Sequence, residues 1–91
     1  MQAAERSHSL VITRDYGRAR LAVSEVPHLL YDLCTAEAVL AAMPWDEVVA
    51  QPTLSDRTPW LRYVEYRSAR LIYHASAGVV EARAVAMIPM H

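Results

Sequence analysis

The stretch from residue 60 to residue 88 leaves few folds open to this chain. Trp60–Arg67 is dense in strand formers, with Trp60, Leu61, Tyr63, Val64 and Tyr66. Ala69–Ala75 follows, then a turn near Ser76-Ala77-Gly78, then Val79–Ile88. A two-residue turn at Ala77-Gly78 sets Tyr73 opposite Ala82, Leu71 opposite Ala84, His74 opposite Glu81 and Ile72 opposite Arg83. One face is then apolar, with Leu71, Tyr73, Ala75, Val80, Ala82 and Ala84. The other is mixed, with Arg70, Ile72, His74, Glu81, Arg83 and Val85. Turn chemistry and side-chain alternation agree, which predicts an antiparallel sheet needing cover on one face.

The cover is predicted over residues 25–43. Ser24 suits a helix cap, and Pro27 is tolerated in a first turn, where its missing N–H is not needed. Val26, Leu29, Leu30, Leu33, Ala36, Leu40 and Met43 recur at spacings of three and four, making one apolar stripe. His28, Asp32 and Thr35 fall away from it, and Pro44 ends the helix. Pro44–Val49 predicts a short second helix with acids in its first turn. Upstream, Ser9–Thr13 and Arg18–Ser24 read as a strand hairpin about Tyr16-Gly17, a register that puts Leu10, Ile12, Leu21 and Val23 on one face. Residues 1–7 read as a flexible lead and 51–59, with Pro52 and Pro59, as a surface loop. The expected fold is α+β: an antiparallel sheet of about five strands, ordered β-β-α-β-β-β, with one long helix on one face.

At 91 residues the chain is one domain, spanning 1–91. A hydrophobic fraction of 54% is generous for that length, and a homodimer would bury part of it. Cys34 stands alone, so no internal disulfide and no Cys-based zinc site is expected, and a reducing, cytoplasmic setting fits. The four histidines (His8, His28, His74, His91) show no metal-ligand spacing, and two glycines cannot build a phosphate loop, so no metal and no cofactor is expected. No apolar run is long enough for a membrane span, and the start lacks the pattern of a signal peptide.

All nine basic residues are arginine, and the charges are sorted. Residues 21–56 hold Glu25, Asp32, Glu37, Asp46, Glu47 and Asp56 with no base, while both flanks bear arginine. Trp60, Arg62, Tyr63, Tyr66 and Arg67 form an aromatic–arginine run of the kind that anchors protein interfaces. Trp45, beside Asp46 and Glu47, is a complementary contact, for another protein or for a second copy's sheet. A net charge of −1 argues against generic nucleic-acid binding, though arginine and tyrosine on an open sheet can stack single-stranded bases. The catalytic alternative is the patch Arg70, His74, Glu81 and Arg83, in which Glu81 would orient the His74 ring and the arginines would hold a phosphate.

The arginine- and tyrosine-bearing strands within residues 60–88 resemble the sheets of small toxin ribonucleases of toxin–antitoxin systems. That resemblance implies a helical pair after the first strand, where this chain is expected to open with a strand hairpin, and no residue role is carried across. The residues themselves point to a non-enzymatic protein-binding or regulatory protein working through its aromatic–arginine sheet surface, as a homodimer. A metal-independent ribonuclease or phosphate-ester hydrolase is the alternative, and a single-stranded nucleic-acid binder a further one.

Overall fold

The structure is a computed structural model that describes residues 8–89. The expected flexible lead over residues 1–7 lies outside the described residues, as does the His91 end. Strand β1 (Ser9–Ile12) is followed by helices α1 (Arg14–Val23), α2 (Pro27–Ala42) and α3 (Trp45–Val48). Strands β2 (Arg62–Tyr66), β3 (Ala69–Ser76) and β4 (Val79–Met87) follow among the described residues. The sheet has four strands in the order β1-β4-β3-β2; β1 runs parallel to β4 and the other pairs are antiparallel. The α+β class stands. The arrangement differs from the expected five antiparallel strands with one long helix.

The difference lies in residues 14–23, expected as a turn and a returning strand and found as α1. Thr13 caps that helix: its Oγ1 accepts from the Tyr16 amide at 3.3 Å and its hydroxyl donates to Ala82 O at 2.7 Å. Asp15 sits in the first turn and Arg20 in the last, the favourable order for the helix dipole. Tyr16, Ala19 and Val23 recur at helical spacing, and Tyr16 is wholly buried. With no return strand beside it, β1 crosses over through the helices and joins β4 in parallel.

Helix α2 matches the expected segment closely. Pro27 is its first residue, and Met43 is extended before Pro44, where a residue preceding proline belongs. Ser24 does not cap it. Its Oγ donates to Leu21 O and its amide to Arg20 O, so it closes α1 instead. Leu29, Leu33, Ala36 and Leu40 are buried as the stripe predicts. Asp32 is buried too, against expectation, because its carboxylate accepts from the Ser68 amide at 3.2 Å and hydroxyl at 2.7 Å. Those bonds hold the β2–β3 turn against the helix and keep the Asp32 carboxyl below the usual carboxylate range. Helix α3 is the expected short helix. Residues 51–59 contain no helix or strand, only an isolated bridge from Thr53 to Arg62.

The turn at Ala77-Gly78 is as expected, with φ of 51° and 81°. Tyr73 faces Ala82 and His74 faces Glu81, but Ile72 then faces Ala84 and Leu71 faces Val85. Arg83 is therefore an extra, unpaired residue in a β-bulge. Downstream of it the faces exchange: Val85 packs on the core, where Ala84 was expected. The core joins Leu33, Leu40 and Ala36 of α2 to Leu71, Tyr73, Val80 and Ala82 of the sheet, with Tyr16 from α1. Tyr73 is buried with its hydroxyl donating to Val48 O at 2.7 Å, and burial pushes that hydroxyl up to about 12.

Candidate functional site

Helices α1 and α2 pack on one side of the sheet, and no described element covers the other. Strand alternation decides what the open side carries. Arg70, Ile72, His74 and Ser76 of β3 point away from the buried Ala69, Leu71 and Tyr73. The pairings bring Tyr63 and Glu65 of β2, Glu81, Ala84 and Ala86 of β4, and Val11 of β1 to the same side.

These side chains fall into rows across the strands. Ala84, Ile72 and Tyr63 form an apolar row. Ile72 is buried by its neighbours, although it lies outside the core cluster. One row toward the Ala77-Gly78 turn lie Glu81 and His74, with Nδ1 of the ring 3.9 Å from Oε1 of the carboxylate. The Arg83 guanidinium donates to that same oxygen from Nη2 at 2.8 Å and from Nε at 3.1 Å. On the other flank lie Ala86, Arg70 and Glu65. Arg70 donates to Glu65 Oε2 from Nε at 2.7 Å and also from Nη2, and its guanidinium lies 4.2 Å from the Tyr63 ring centre. These pairs are open to water, so each contributes only about 0–1 kcal/mol to stability. Two open depressions meet at Glu81 and Arg83. One, of about 410 Å³, adds His74, Ser76 and Val79. The other, of about 350 Å³, adds Thr13, Arg14 and Asp15.

The patch Arg70, His74, Glu81 and Arg83 thus shares one face, with Ile72 between Arg70 and His74. The six residues proposed for binding are more dispersed. Tyr63 stands on the open face, while Arg62 and Tyr66 belong to the helix-covered side. Arg62 donates to Gln51 O, and Tyr66 packs on the core with the Arg67 guanidinium 5.5 Å from its ring centre. Arg67 occupies the β2–β3 turn at φ 53°. Trp60 is exposed ahead of β2. Trp45 packs on the core, its ring centre 5.9 Å from that of His8.

A further cluster escaped the sequence reading because Tyr16 and Arg20 were assigned to a hairpin. Tyr16 donates from its hydroxyl to Glu37 Oε2 at 2.6 Å. Arg20 grips the same carboxylate from Nε at 2.8 Å and Nη2 at 3.1 Å, and reaches Cys34 Sγ at 3.2 Å. Burial pushes the Glu37 carboxyl up, but the bonds from Arg20 and Tyr16 outweigh it and hold the group below its ordinary value. The i, i+4 spacing of Tyr16 and Arg20 was the available signal. The cluster locks α1 to α2, and with three mutually satisfied groups it has no free acid or base.

Among the described residues, no group of three His, Cys, Asp or Glu side chains could hold a metal ion, and no helix is long and apolar enough to cross a membrane. Comparison with known proteins finds no matching family model, no matching curated protein and no matching solved structure.

Proposed function

We propose that this chain is a binding protein that docks another protein on the open face of its sheet. The observation that carries the reading is the apolar row Ala84–Ile72–Tyr63 between two rows of paired charge. That is the anatomy of a protein interface, an apolar centre inside a polar rim. Arginine and tyrosine, the usual anchors, stand there as Arg70 on Tyr63. Arg70 and Arg83 are already paired with Glu65 and Glu81, so the face lacks the unopposed positive charge that phosphate backbones demand. A lone half-buried Cys34 fits a reducing, cytoplasmic setting, which is part of the same proposal. The test is titration of the purified partner, once isolated with the chain, against Tyr63→Ala and Arg70→Ala, the two half-buried anchors of the row's edge. Each should weaken binding by about 1–2 kcal/mol or more, with the thermal melt retained. Unchanged affinity in both variants, tested as folded proteins, would reject the open face as the docking site.

One observation favours a second reading, metal-independent cleavage of RNA or a phosphate ester. His74 lies opposite Glu81 with Arg83 on the same carboxylate, a candidate acid–base pair beside a cation. The order strand, helix, helix is also what resemblance to the small toxin ribonucleases implies, in place of the strand hairpin expected from sequence. His74→Ala should abolish cleavage of a structured RNA while leaving the melt intact. A wild-type chain that cleaves neither RNA nor an activated phosphate diester would eliminate this reading.

A further inference from the structure

The two edges of the sheet are finished differently. The β2 edge is closed by the chain itself: the Tyr63 amide donates to Pro52 O at 3.2 Å, the Leu54 amide to Leu61 O at 2.8 Å, and Thr53 bridges Arg62. The β1 edge has no such cover among the described residues. Apart from its length of four residues it lacks the usual guards against pairing, since Ser-Leu-Val-Ile contains no charge and no proline, and its ladder with β4 runs without a bulge. Val11 and Ile12 are 42% and 48% exposed.

The direction of its backbone groups fixes what can pair there. The Ser9 amide donates to Gly78 O at 3.1 Å, so Ser9 and Val11 turn their backbone groups toward β4. Leu10 and Ile12 therefore turn theirs outward. A second β1 placed antiparallel can meet them, with Leu10 of one copy exchanging N–H···O bonds with Ile12 of the other. The two Val11 residues then face each other across the two-fold axis as a non-hydrogen-bonded pair, with Cα atoms about 4.5 Å apart. This register keeps the helices of both copies on one side and the two open faces on the other. No like charges meet within the four residues, so nothing in the strand opposes self-pairing.

We infer that β1 is a homodimerisation edge, joining two copies antiparallel about Val11 into one continuous sheet. The inference does not depend on what the open face binds. Such a dimer is closed and isologous, and it removes the bare edge altogether.

The first test is sedimentation of the full chain, where the wild type should run at twice its mass of 10.2 kDa. Ile12→Pro removes an outward N–H that the β1–β4 ladder does not use, and should halve the sedimenting mass. Val11→Lys places two ammonium groups on the axis and should do the same, which keeps the test usable if the proline variant fails to fold. The register is read by mild oxidation in a Cys34→Ser background. Val11→Cys should cross-link to a covalent dimer, because its Cα spacing suits a disulfide, while Ser9→Cys should not. A wild type that is monomeric at tens of micromolar, a dimer that survives in folded Ile12→Pro or Val11→Lys, or equal cross-linking of both cysteine variants would overturn it.

Discussion

Replacing Tyr16 by Phe isolates one atom in a partly buried network. The Tyr16 side chain is wholly buried, and its hydroxyl donates to Glu37 Oε2 at 2.6 Å. Hydrogen bonds to charged groups contribute about 1.5–3 kcal/mol each. Phenylalanine keeps the ring and its packing, so the cavity left is no larger than one oxygen. Glu37 also keeps both donors from Arg20, so its carboxylate is not orphaned. The lower half of the range applies, about 1.5–2 kcal/mol. For a domain of this size that is a fall in Tm of about 6–16 °C. Urea melts at pH 7 measure it as a lower midpoint with an unchanged slope. The pH dependence adds a second check. Glu37 is held below its ordinary value, so its pairing stabilises fully above about pH 4.3 and is lost as pH falls through the folded pKa. The Tyr16→Phe penalty should therefore shrink on acidification, and Tyr16→Phe with Glu37→Gln should be clearly less than additive. A penalty under about 0.5 kcal/mol at pH 7, or one that grows on acidification, would refute the reasoning.

Two backbone substitutions should act in the opposite direction. Gly17 lies inside α1, and a Cβ there would meet only Ile12 Cγ2 at 3.9 Å, an ordinary contact. Gly17→Ala should raise stability by about 0.5–1 kcal/mol, read as a higher urea midpoint; a lower one would show that the helix start is strained in some other way. Ala77 sits in the left-handed region at φ 51°, which costs an ordinary residue about 1–2 kcal/mol. Ala77→Gly relieves that cost against an entropic penalty of about 0.5–1 kcal/mol, so the melt should rise by a few degrees or hold, and should not fall.

The parts of the fold legible in the sequence were those where one periodicity dominates. The β3–β4 hairpin was readable because a two-residue turn and strict alternation specify the same pairing. Helix α2 was readable because Leu29, Leu33, Ala36 and Leu40 keep helical spacing between Pro27 and Pro44. Residues 14–23 were not, because Leu21 and Val23 alternate as a strand would, while Tyr16 and Gly17 look like a turn. What decided the matter was tertiary: Thr13 anchors to Ala82 of a strand roughly seventy residues away, and Glu37 of another helix satisfies Tyr16 and Arg20. Asp32 failed for a related reason. A carboxylate on a helix reads as solvent-facing until its buried donors on Ser68 are known. Of the candidate site, the His74–Glu81 pairing lay close to the turn and was legible. The dispersal of Arg62, Tyr63 and Tyr66 over two faces follows from alternation along β2 and was legible as well. The burial of Trp45 and Tyr66 against the core was not, because it depends on where α3 and the 51–59 segment lie.

The bulge at Arg83 links the core to the open face. Without it, uninterrupted alternation would point Ala84 inward opposite Leu71 and leave Val85 on the open side. With it, Ala82 and Val85 both face the helices, and Arg83 and Ala84 both face away. The core gains a β-branched side chain, and the open face keeps a small residue beside Ile72, so the row from Ala84 to Tyr63 stays low between its charged flanks. The two neighbours should then respond oppositely to change. Val85→Ala removes partly buried core volume and should lower stability by about 1–2 kcal/mol. Ala84→Ser alters only the open face and should stay within about 0.5 kcal/mol of the wild type. If Ala84→Ser proved the more damaging in urea melts, the strand would be running in register past Arg83, with Ala84 in the core and Arg83 opposite Ile72, and the apolar row would lose its Ala84 end.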